Sequence, residues 1–196
     1  MTNKLKHMLP AAGPRGFTLI ETLVAVLILT TAIAGPLTLA SKSLLASLVA
    51  KDQVTAFYLA QDAVEYVRFK RDSACLAGAV SPCTAWLSTL SNCTGATGCY
   101  LDSTENSPTS PTACPSGGCI QSTFSNSTFL YYNSTQNRFT YSQTGTTRTG
   151  FARQVSITTP VGGNAEEAKL TVQVSWSDTG SNTRTVSVTE ELFNWQ

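Results

Sequence analysis

Histidine is almost absent from this chain of 196 residues, and His7 is the only one. The remainder of the chain therefore cannot supply a histidine-based catalytic triad, an HExxH motif or a histidine-ligated zinc site. A P-loop and a GxGxxG dinucleotide fingerprint are also lacking. These absences predict that the protein is not an enzyme and that it needs neither a metal nor another cofactor.

Charge is scarce too, since only 13% of the residues are charged and the formal net charge is +1. No run of basic residues is longer than Lys70-Arg71, so no nucleic-acid partner is indicated. Three basic residues and no acidic one lie in the first sixteen residues, at Lys4, Lys6 and Arg15. The sequence thus has a short basic head followed by a nearly neutral body.

Cysteine, by contrast, is concentrated in one segment of 45 residues. The six cysteines are Cys75, Cys83, Cys93, Cys99, Cys114 and Cys119, and no two have CxxC spacing. An even count in a loop-rich segment predicts two or three disulfides formed in an oxidising compartment, rather than a zinc ribbon. Fifteen full connectivities are possible. Cys93–Cys99 and Cys114–Cys119 are mildly preferred because they close short loops.

One apolar stretch, residues 17–41, is long enough to cross a bilayer as a helix. Its only charged residue is Glu21, and the next charge is Lys42. The basic flank predicts a single span with its N-terminus in the cytoplasm and the body outside. Gly35 and Pro36 interrupt the stretch, and a kink or local break is expected there.

The rest of the chain predicts an α+β domain. In residues 42–72, apolar side chains recur at helical spacing along one side of a helix, which is expected to end near Asp72. This apolar side consists of Val49, Ala56, Ala60, Ala63, Val64 and Val67, and Phe57 and Leu59 make it wider. Residues 73–127 form a cysteine-rich loop region, in which only Cys83–Leu90 suggests a helical turn. Residues 128–196 alternate apolar and polar side chains, which predicts an antiparallel meander covered by the helix.

Two interpretations of the N-terminus follow from these residues. In the first, residues 1–16 and 22–31 are the basic and apolar parts of a secretory signal, and Ala32–Ala34 is an A-x-A cleavage site. The mature protein would then begin at Gly35 with a segment that is still strongly apolar. A secreted or membrane-anchored adhesin or binding domain is the function that fits this interpretation.

The second interpretation comes from the segment "GFTLIETLVAVLIL", residues 16–29, which resembles the N-terminal signature of type IV prepilins and pseudopilins. The resemblance implies a leader peptide of residues 1–16 that a prepilin peptidase removes between Gly16 and Phe17. It also implies N-methylation of Phe17 and a role in assembly for Glu21, which could pair with the amine of a neighbouring subunit. "FYLAQDAVEYVR" and "LTVQVSW", with the closing "TRTVSVTEELFNW", are more similar to V-type minor pilins and to the I-type pseudopilin of type II secretion.

The resemblance implies a structural subunit of a type IV pilus-like filament, with other pilin subunits, the peptidase and the inner-membrane assembly machinery as partners. Such a subunit lies in the cytoplasmic membrane before assembly and in an extracellular or cell-surface filament afterwards. One departure is that Pro36 comes earlier than the helix-breaking proline that is usual in major pilins.

Overall fold

The computed structural model describes residues 16–77, 83, 86–103, 111–159, 166–177 and 182–194. The predicted leader up to residue 15 lies outside these residues. The chain divides into two compact units, Met1–Ser47 and Leu48–Gln196.

The first unit contains the N-terminal part of helix α1, Leu19–Ala77. Every described residue from Gly16 to Leu48 is exposed, although most are apolar. Of the kink or local break expected at Gly35 and Pro36, the break is absent, because helix α1 continues through both residues. It also ends at Ala77, later than the predicted end at Asp72.

The second unit contains an antiparallel sheet whose strands are β1 (Cys99–Tyr100), β2 (Thr112–Ala113), β3 (Phe129–Asn133), β4 (Arg138–Thr140), β5 (Thr147–Thr158), β6 (Glu167–Ser177) and β7 (Thr183–Phe193). Strands β5, β6 and β7 form the predicted meander, joined in consecutive antiparallel pairs. The remaining strands depart from a meander. Strand β5 pairs with β3 along its first half and with β1 at Val155, while β4 pairs with β3 and β2 pairs with β1.

The core lies between one face of helix α1 and one face of the sheet. The predicted helix stripe is buried at Ala56, Ala60, Ala63, Val64 and Val67, and the predicted sheet face is buried at Leu170, Val172, Val174 and Trp176. These are the residues that alternate at helical and strand spacing in the sequence, so the α+β prediction is confirmed. Leu59 is buried as expected, whereas Phe57 is exposed on the outer side of the helix.

A buried arginine lies between the helix and the sheet. Arg153 of β5 is 1% exposed. It donates from Nη1 to the Leu59 carbonyl (2.7 Å) and the Asp62 carboxylate (2.8 Å), and from Nη2 to the Leu101 carbonyl (2.7 Å). One side chain therefore joins helix α1, strand β5 and the segment after β1. The sequence did not reveal this role, because Arg153 occupies an inward position that alternation assigns to an apolar residue.

Three disulfides connect all six cysteines: Cys75–Cys83, Cys93–Cys99 and Cys114–Cys119. Both short-loop pairs preferred from the sequence are present, and the third links the end of helix α1 to the following segment. The helical turn expected within Cys83–Leu90 lies further on, as a short 3-10 helix at Ser88–Cys93. Its Leu90 and Cys93 side chains are buried, which explains why the turn forms around them.

Candidate functional site

The start of helix α1 brings the predicted cleavage and assembly residues together. Gly16 and Phe17 precede the helix, and Thr18 caps it. The Glu21 amide donates to the Thr18 carbonyl (3.1 Å) and to Thr18 Oγ1 (3.3 Å). Glu21 thus lies in the first helical turn, four residues after Phe17, where a carboxylate interacts favourably with the helix dipole.

The cap also has a sequence signal, which charge and periodicity do not show. "TLIE", Thr18 to Glu21, has the T-x-x-E spacing of a capping box, in which the first and fourth residues both satisfy free helix amides. The signal marks Thr18 as the cap, and helix α1 begins at the next residue, Leu19, three residues after Gly16. The bond predicted to be cleaved, Gly16–Phe17, therefore lies just outside the helix.

Helix α1 is long and apolar enough to cross a membrane, and its most apolar window is not buried anywhere in the protein. Exposed side chains of this part include Leu19, Ile20, Leu23, Leu27, Ile28 and Ile33. A fully exposed apolar helix surface is unfavourable in water and requires lipid or protein around it. The exposed apolar surface of the first unit therefore fits a lipid or protein environment.

The hydroxyl groups of this apolar part are satisfied within the helix. Thr22 donates to the Leu19 carbonyl (2.9 Å), Thr30 to the Leu27 carbonyl (2.9 Å) and Thr38 to the Gly35 carbonyl (2.7 Å). Such bonds lower the cost of placing threonine in hydrocarbon. Glu21 remains as the one charged side chain between residues 17 and 41.

The other predicted site residues lie apart from this turn. Pro36 follows Glu21 by 15 residues of continuous helix, which corresponds to about 22 Å along the helix axis. The cysteines belong to the second unit, where all six form disulfides. In the part of the chain that the structure describes, no group of three or more His, Cys, Asp or Glu side chains is arranged to hold a metal.

Residues 13–35 match the model of the prokaryotic N-terminal methylation motif. No curated protein and no solved structure matches the chain. The motif covers the capped helix start and the first part of the apolar helix, and it supports a type IV pilin-like protein that a prepilin peptidase processes.

Proposed function

We propose that this protein is a minor pilin or pseudopilin, a structural subunit that enters a type IV pilus-like filament through its N-terminal helix. The observation that carries the proposal is the capped helix start: a Gly16–Phe17 bond just outside the helix, Glu21 in the first turn, and an exposed apolar helix behind them. The methylation motif lies over these same residues.

Processing gives Glu21 a partner. Cleavage after Gly16 leaves a cationic amine on Phe17, which stays cationic after methylation. An isolated carboxylate in hydrocarbon costs about 2.5–3.5 kcal/mol on insertion scales. Pairing Glu21 with the Phe17 amine of a neighbouring subunit removes much of that cost and sets the register between the two helices.

Before assembly, the apolar helix holds the subunit in the membrane with its second unit on one side. Lys4, Lys6 and Arg15 on the leader favour an orientation with the N-terminus in the cytoplasm. The second unit, with its three disulfides, then lies in an oxidising compartment. Other pilin subunits and the inner-membrane assembly machinery are the partners that this arrangement requires.

A minor rather than a major subunit is favoured by two features of the sequence. Pro36 lies earlier than the usual proline of major pilins, and the segments "FYLAQDAVEYVR" and "TRTVSVTEELFNW" resemble V-type minor pilins and the I-type pseudopilin. A low copy number relative to the main filament subunit is expected.

The N-terminus of the mature protein tests the proposal. Mass spectrometry of the protein from its native host should find a peptide that begins with methylated Phe17, and Gly16→Val should leave the full-length precursor in the membrane. A mature chain beginning at Gly35 would identify a secreted protein, and an intact Met1 an uncleaved anchor; either result contradicts the proposal.

A further inference from the structure

The second unit has a cleft near the point at which the strand paired with β5 changes from β3 to β1. Strand β3 pairs with β5 up to Ala152, with a register shift between Phe129 and Tyr131, and β1 pairs with β5 at Val155. The cleft has a volume of about 350 Å³, which is at the small end of the range for ligand pockets. Its lining includes Tyr100, Phe129, Tyr131, Tyr141, Gln143 and Arg148.

The cation of the cleft is Arg148. Its guanidinium carbon lies 3.8 Å from the centroid of the Phe129 ring, so the ring supports one face of the group. Among the described residues, no carboxylate forms an ion pair with Arg148, and no acidic residue lines the cleft. A planar guanidinium held by a ring leaves its N–H edge for a planar, bidentate acceptor such as a carboxylate.

The wall of the cleft is aromatic and held in place. The rings of Tyr100 and Tyr141 lie 4.8 Å apart. The Tyr141 amide donates to the Asp102 carboxylate (2.8 Å) and the Tyr141 hydroxyl to the Arg153 carbonyl (3.4 Å). Burial raises the pKa of Tyr141, so this phenol remains a donor at physiological pH.

Hydroxyl groups complete the lining. Within the described part of the chain, the hydroxyls of Tyr100 and Tyr131 make no hydrogen bond, and Thr128 adds a third hydroxyl group to the cleft. Tyrosine rings offer flat apolar faces to the C–H groups of a sugar ring, while these hydroxyls match sugar hydroxyls as donors and acceptors. A single cation without a helix N-terminus suits a carboxylate better than a phosphate, which usually attracts several donors.

We propose that this cleft binds a carboxylate-bearing monosaccharide, a uronic acid at the end of an acidic glycan. Arg148 receives the carboxylate, and the tyrosines receive the sugar ring and its hydroxyls. The proposal goes beyond filament assembly and does not depend on it, because all the residues involved belong to the second unit.

Titration calorimetry on the detergent-solubilised full chain tests the site, with galacturonate, glucuronate, galactose, acetate and a short peptide with a free C-terminus as probes. At least one uronate should bind with one-to-one stoichiometry. Galactose and acetate should each bind about tenfold more weakly, since galactose lacks the carboxylate and acetate lacks the sugar ring. Arg148→Gln should weaken uronate binding by about ten- to a hundredfold, the range expected for loss of a charge-assisted pair.

The matched control is Arg184→Gln, which removes an exposed arginine from β7, outside the lining of the cleft. It should leave uronate affinity unchanged, and Arg148→Gln should keep the wild-type melting temperature. Failure of both uronates to bind, equal affinity for galactose, equal losses in the two variants, or tighter binding of the peptide would each overturn the proposal.

Discussion

Glu21 combines two local roles that its position makes compatible. Its amide completes the cap on Thr18, and its carboxylate lies near the positive end of the helix dipole. Neither role requires a partner subunit. A partner subunit is needed because a carboxylate in hydrocarbon is costly to insert, and the proposed pairing with a Phe17 amine lowers that cost.

The prediction for Glu21→Ala is a loss of assembly without a loss of folding. Incorporation into sheared filaments should fall sharply, because the neighbouring Phe17 amine is left without its counter-charge. Membrane insertion, cleavage after Gly16 and the three disulfides should be retained, since the substitution lies in the other unit from the sheet. Quantitative immunoblotting of filament and membrane fractions measures incorporation into filaments and the amount of cleaved protein in the membrane.

Glu21→Gln is the control for shape, because it keeps the length of the side chain and its capping geometry but removes the charge. It should fail like Glu21→Ala. Normal incorporation of both variants would mean that the Glu21 carboxylate has no role in assembly. Loss of cleavage would mean that the peptidase recognises this carboxylate.

Arg153 shows how a single buried side chain can hold several elements. Arg153→Met should destabilise the second unit by about 2–4 kcal/mol, because the Leu59 and Leu101 carbonyls lose their donor. Arg68→Met, which removes a half-exposed arginine paired with Glu190, should cost less than about 1 kcal/mol. Denaturant unfolding monitored by near-ultraviolet circular dichroism compares them, and equal losses would contradict a special role for Arg153.

At the scale of the element, helix α1 is divided by what its surface contacts. Up to Leu48 its side chains are exposed, while from Ala56 onwards one face is buried against the sheet. Three alanines of this face, Ala56, Ala60 and Ala63, are fully buried. A larger side chain at any of these positions would have to displace packed neighbours.

Enlarging one of these alanines should therefore be costly. Ala60→Leu should destabilise the second unit by about 1–3 kcal/mol, because the added atoms must displace packed neighbours. Ala50→Leu on the same helix is the matched control, since Ala50 is exposed and leucine has nearly the same helix propensity. A similar unfolding midpoint for Ala60→Leu and wild type would show that the contact is loose.

The sequence predicted elements whose periodicity is uninterrupted and missed arrangements that depend on distant partners. Val155, Ile157 and Leu170 alternate with polar residues, and their strands were predicted correctly. The sharing of one edge of β5 between β1 and β3 depends on a register shift near Phe129 and on short strands without periodicity. The buried position of Arg153 was equally hidden, because its acceptors are mostly backbone carbonyls that carry no sequence signal.

The proximity of the candidate-site residues follows from the sequence alone, because they are close together in the chain, while their roles in cleavage, methylation and assembly stay predictions. Gly16, Phe17 and Glu21 fall within one short segment, and the capping box at Thr18 would have fixed the start of the helix as well. Helix α1 is continuous at Gly35 and Pro36, so no break occurs there, and the kink that was expected as the alternative stays a prediction. Proline removes one helix hydrogen bond, but the remaining bonds of a long helix can keep it continuous through that gap.

At the scale of the whole molecule, apolar exposure and the folded core are separated along the chain. Most of the exposed large apolar side chains lie between Phe17 and Leu48, whereas the buried core residues all follow Val54. The two units also differ chemically, since the disulfides and ion pairs all lie in the second unit as far as the structure describes it. The apolar unit accounts for the need for a membrane or filament, and the second unit carries its own stabilising contacts.

Residues 48–196 should accordingly fold without the apolar helix start. This fragment has nine basic and eleven acidic residues and retains every buried core residue. Produced in an oxidising compartment, it should be monomeric and soluble without detergent, and no thiol should react in denaturant before reduction, since three disulfides use all six cysteines. The matched control, residues 17–196, should require detergent because its exposed apolar surface has no cover in water. Size-exclusion chromatography and thiol counting measure these outcomes. Aggregation of the fragment, or about four or more reactive thiols, would show that the second unit depends on the N-terminal helix for its fold.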